Sequence, residues 1–205
     1  MKSLIVAFVT LAAIMLACND RNSRQQKDDM SAVNTDSSKQ VSSNEDKNVK
    51  DITPKFAGAD AKVKGFIKEI VDHYLHIKNA LVNDDESEAA NGAKMLSETL
   101  QRADKSFFTP EQKKIYDENE DDLKEHAEHI GKSKLGHQRE HFAMMSEDIY
   151  SLATAFGGGK TLYHDHCPMA NDGKGAMWIS EVADIKNPYM GKKMPTCGKV
   201  EEKIN

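Results

Sequence analysis

The spacing of apolar side chains between residues 63 and 156 constrains this chain more than any other feature. Val63, Ile67, Ile70, Tyr74, Ile77 and Leu81 alternate steps of four and three, which puts all six on one stripe of a helix. After a break at Asn83-Asp84-Asp85, the residues Ala89, Ala93, Leu96, Leu100 and Ala103 repeat that spacing. Thr109-Pro110-Glu111-Gln112 has the form of a capping box with proline at the first helical position, and Tyr116, Leu123, Ala127 and Ile130 make the stripe that follows. A fourth stripe runs through Leu135, Gln138, Phe142, Met145, Ile149, Leu152 and Phe156, and Gly157-Gly158-Gly159 ends it. Four amphipathic helices on short connections predict an all-α fold, an up-down four-helix bundle over residues 60–157.

The two flanks are of different character. Lys2 is followed by an apolar run from Leu4 to Ala17 and then by Cys18, a run too short to span a bilayer and suited to a signal peptide. Leu16-Ala17-Cys18 resembles the lipobox of bacterial lipoproteins, so residues 1–17 are expected to be a signal peptide and Cys18 the lipidated residue. Residues 18–59 then form the expected linker, polar almost throughout and unable to offset its ordering entropy by burial. The expected setting is the bacterial cell envelope, with the chain lipid-anchored to the outer membrane on its periplasmic or its surface side. With 28 basic against 33 acidic residues and no basic cluster, nucleic acid is excluded as a partner.

Residues 158–205 show no helical period and are expected to be a mostly irregular tail packed on the bundle, with strand-like pieces such as 176–179. The tail holds both remaining cysteines, as Cys167-Pro168-Met169 and Met194-Pro195-Thr196-Cys197, near mirror images of each other. Two readings stand side by side. Thiolates of Cys167 and Cys197 with thioethers of Met169 and Met194 form a soft donor set that selects Cu(I), and imidazole from His164 or His166 could complete it. Alternatively the two cysteines form a disulfide, which an exported chain can keep and which would staple a tail too small to own a core.

All eight histidines fall in close pairs: His73 and His76, His126 and His129, His137 and His141, His164 and His166. On the fourth helix His137, His141, Met144 and Asp148 share a second stripe beside the apolar one, a further candidate ligand set. His126, His129, His73 and His76 read more simply as half-solvated helix-face residues, and Met145 as core.

The stretches "YHDHCPMANDGKGAMWIS" and "IKNPYMGKKMPTCGKV" resemble the tail signature of a bacterial family, domain of unknown function 3347. The resemblance extends to Asp84-Asp85 and to the segment from Gln138-Arg139 to Phe142. Its members occur as small exported lipoproteins and as a module at the C-terminus of copper and silver efflux adaptor proteins, which implies copper handling. Met177 and Met190 stand where the family commonly carries bulkier aromatic residues.

The expected function is therefore binding of a soft metal ion, Cu(I), for buffering or for transfer to an efflux adaptor or other envelope protein. The alternative is a disulfide-stapled helical interaction module without metal. No nucleophile, base or cofactor motif supports catalysis, and the paired Glu-x-x-His motifs of a di-metal bundle are absent from the sequence, so an enzyme is not expected.

Overall fold

The structure is a computed structural model and describes residues 49–205. Four long helices follow one another: α1 (Ala61–Val82), α2 (Glu86–Gln101), α3 (Pro110–Lys132) and α4 (Leu135–Phe156). Each packs on the next and α4 returns to α1, the up-down arrangement that short connections favour. The first three starts are capped by side chains: Asp60 accepts from the backbone N–H of Lys62, Asp85 from that of Glu88, and Thr109 and Gln112 complete the capping box. Gly157, at φ 77°, ends α4 with a backbone turn that other residues adopt at a cost.

The stripes converge on one core. Ile67, Ile70, Tyr74, Ile77, Leu96, Tyr116, Leu123, Phe142, Met145 and Ile149 are all fully buried. Tyr74 and Phe142 stack at its centre, with ring centroids 4.9 Å apart.

The tail is not irregular, and the fold is not all-α. Strands β1 (Lys50–Ile52), β2 (Leu162–Cys167), β3 (Ala176–Ser180) and β4 (Lys199–Ile204) form a mixed sheet in the order β1-β4-β2-β3. β2 is antiparallel to both neighbours, whereas β1 runs parallel to β4, with Ile52 beside Ile204. β3 lies against α4 and α1, and Trp178 and Ile179 are fully buried there. β1 also corrects the boundary at residue 59: part of the expected linker is an edge strand of the folded unit. Its single apolar residue, Ile52, is half-buried against the core, too little for a sequence pattern to mark. The expected signal peptide, Cys18 and the rest of the linker up to residue 48 lie outside the described residues. Among the described residues no helix is long and apolar enough to cross a membrane.

Candidate metal centre

The connection between α3 and α4 is so short that the last turns of α3 lie opposite the first turns of α4. That hairpin brings four histidines together. The rings of His129 and His141 are stacked at 4.1 Å, and His137 meets His141 edge-on at 4.6 Å. His126 reaches the same ring from one turn earlier, with its Nδ1 3.2 Å from Nδ1 of His141. One donor atom from each of His129, His137 and His141 lies within 4.8 Å of the other two. A tetrahedral ion holds imidazole nitrogens at about 2.0–2.1 Å, so modest rotation of two exposed rings would bring three into one coordination shell.

The protonation states suit ligation. Burial holds the imidazolium of His126 below the usual histidine range, and for His141 burial is reinforced by the neighbouring His129, His137 and His126. Both rings are therefore neutral near pH 7. The hydrogen bond between the two Nδ1 atoms leaves Nε2 of His141 as its free donor, and Glu140 Oε2 at 2.7 Å occupies Nδ1 of His137 in the same way. Such outer contacts orient ligating histidines. Behind His126, Asp148 Oδ2 lies 3.9 Å from its Nε2 and has no hydrogen-bond partner. Burial raises the Asp148 carboxyl to about 7, with Asp122 and Glu147 adding to the effect.

The other expected ligands do not join this cluster. Cys167 and Cys197 are linked in a disulfide, with Cα atoms 5.8 Å apart, so in this form neither sulfur is a thiolate. Met169 and Met194 are exposed, and Met144 on α4 is exposed as well. His164 and His166 project from β2 into a separate groove beside α4. His126 and His129, read from sequence as a solvated face, are the partners that His137 and His141 meet. A signal for this did exist: one close pair ends a helix, the other begins the next, and only a short turn separates them.

Taken together, the chain is a four-helix bundle with a small mixed sheet folded against it and a histidine cluster at one helical hairpin. Residues 70–161 match the model of a family described as "Protein of unknown function (DUF3347)". The match runs from within α1 to the end of the connection into β2. It includes all four cluster histidines and stops before the cysteine-bearing tail. Neither the curated proteins nor the solved structures gave a match.

Proposed function

We propose that this protein is an envelope lipoprotein that holds a borderline transition-metal ion, copper foremost, on His129, His137 and His141, to buffer it or pass it to an efflux partner. The observation that carries the reading is the convergence of three imidazole donors from two helices within 4.8 Å. Imidazole suits Cu, Zn and Ni, and among divalent ions Cu(II) binds nitrogen sites most tightly. A chain that keeps Cys167 and Cys197 oxidised belongs in an oxidising compartment, which favours Cu(II) over Cu(I) as its cargo. The Cys and Met set would serve Cu(I) only after reduction of that bond. Binding and release need no catalytic step.

The disulfide itself favours the second reading, a stapled interaction module, and one titration separates the two. The chain from residue 19, purified without reductant, is titrated with Cu(II) against a competing chelator. One equivalent should bind, and His129→Ala with His137→Ala should weaken it by more than the roughly 10–100-fold typical of losing an outer-shell contact. Both residues are exposed, so the fold should survive the change. A Cys167→Ser/Cys197→Ser chain should keep the Cu(II) site. No competition with the chelator would leave the interaction module, and loss only in the cysteine variant would return the site to the tail.

A further inference from the structure

β4 carries a bulge opposite β2. His164 pairs with Glu202 and Asp165 with Val200, so Glu201 is the extra residue. The extra residue breaks the alternation of β4 and brings two consecutive glutamates to the face that carries His164 and His166. Nδ1 of His164 lies 3.4 Å from Glu202 Oε2, and Nδ1 of His166 lies 3.8 Å from Glu201 Oε1. Met177, the cross-strand neighbour of His166, shares that face. Glu147 and Tyr150 of α4 complete a groove of about 410 Å³.

We propose that this groove is a second cation site, separate from the histidine cluster, which takes a borderline divalent ion such as Zn(II) on His164, His166, Glu147 and Glu201. Three carboxylates line the groove, Lys50 is the one lysine or arginine among its lining residues, and Lys199, exposed beside it, pairs with Glu201 at 3.0 Å. Lys50 is committed to Glu202 at 2.9 Å, and Glu202 also accepts from the Tyr150 hydroxyl at 2.6 Å. Glu202 is thus held as a positioning residue beside His164. Glu147 forms no ion pair or side-chain hydrogen bond among the described residues, and Nδ1 of His164 is buried without a hydrogen-bond partner.

The backbone is shaped for the second histidine. Gly175, at φ 85°, lies so close to His166 that a Cβ would sit 2.9 Å from Nε2. With Nε2 laid against that glycine, Nδ1 is the nitrogen turned to Glu201. The donors stand as two His–Glu pairs, and an ion would draw them together by rotation of Glu147 and Glu201 at the open side. Mixed nitrogen and oxygen donors suit a borderline ion, and zinc imposes no geometric preference of its own.

The test removes the first site to see the second. In the His129→Ala/His137→Ala chain, calorimetric titration with Zn(II) should still show about one equivalent, with shifts in the ring-proton resonances of His164 and His166. Adding His166→Ala and Glu201→Gln should weaken that zinc tenfold or more while the metal-free melting temperature and circular dichroism stay as they were. Zinc binding that vanishes in the first variant, or that the second pair of changes leaves unmoved, would overturn the site. Either result is independent of the copper titration, since the two sites share no residue.

Discussion

Asp165 is the side chain most at odds with its surroundings. It sits in the middle of β2 with Trp178 across from it on β3, fully buried, and neither carboxylate oxygen has a hydrogen-bond partner. Burial pushes its carboxyl up to about 8, while the buried ammonium of Lys78 and the indole of Trp178 pull it partway back. The proton is therefore held more tightly in the folded chain than in the unfolded one. Stability on this account is complete below about pH 4, where the carboxyl is protonated in both states, and is lost as the pH rises through about 8. The expected outcome for Asp165→Asn is a gain in stability over the parent that is small near pH 4 and grows by roughly 1.4 kcal/mol per pH unit up to about pH 8. Urea unfolding at several pH values measures it, and parallel pH profiles for the two chains would show that the carboxyl is ionised in the fold.

Among the elements, the decisive contact is the one that seats the tail. Arg139 of α4 donates to the carbonyl oxygens of Pro188 at 2.7 Å and Leu81 at 3.0 Å, and to Asp84 Oδ1 at 2.6 Å. Asp84, in the turn from α1 to α2, in turn accepts from the backbone N–H of Lys192. Asn187 folds the segment back on itself, donating to the Cys197 carbonyl at 2.6 Å and accepting from the N–H groups of Tyr189 and Met190. Gly191 lies at φ 52° in the middle of this clamp, and a Cβ there would come 2.0 Å from Asp84 Oδ1. Gly191→Ala should cost on the order of 3 kcal/mol, from overpacking and a strained backbone together. Breaking the disulfide with Cys167→Ser and Cys197→Ser should cost about 3–4 kcal/mol by comparison, the value for a loop of 30 residues. Equilibrium unfolding compares the two directly, and a Gly191→Ala chain as stable as its parent would mean that the tail is not seated through Asp84.

These contacts also explain what sequence reading reached and what it missed. The helices were legible because each carries its own apolar period, and α1 to α3 open on capping residues while Gly157 ends α4. The sheet was not, because β2 reads Leu-Tyr-His-Asp-His-Cys and β4 reads Lys-Val-Glu-Glu-Lys-Ile, with polar residues on both faces, and β1 has three residues. Strand identity there comes from pairing partners up to 152 positions apart, which no local window contains. The candidate ligands His137 and His141 were visible as a stripe. Their meeting with His126 and His129 depends on how one helix folds back on another.

At the scale of the whole molecule, the family match ends at residue 161 but the folded unit does not. Within the core the Tyr74 hydroxyl accepts from the backbone N–H of Ile179 at 3.0 Å and meets Ser146 Oγ at 2.8 Å. The Tyr189 hydroxyl reaches the same serine at 3.3 Å and donates to the Met177 carbonyl at 2.5 Å. Polar groups at the centre of the bundle are thus satisfied by the tail, and Trp178, Ile179 and Leu162 bury their side chains in the same core. A chain ending at Gly159 would leave Tyr74 without the Ile179 donor and expose the apolar ground beneath β3. The four helices would keep their stripes, and α1 to α3 their caps, so helicity should persist while fixed packing is lost. The expected result is retained far-ultraviolet dichroism, a weakened near-ultraviolet signal, dye binding to exposed apolar surface and a broad thermal transition. A sharp, two-state transition in the shortened chain would instead make residues 60–157 a domain in their own right, and the sheet an attachment rather than a part of the core.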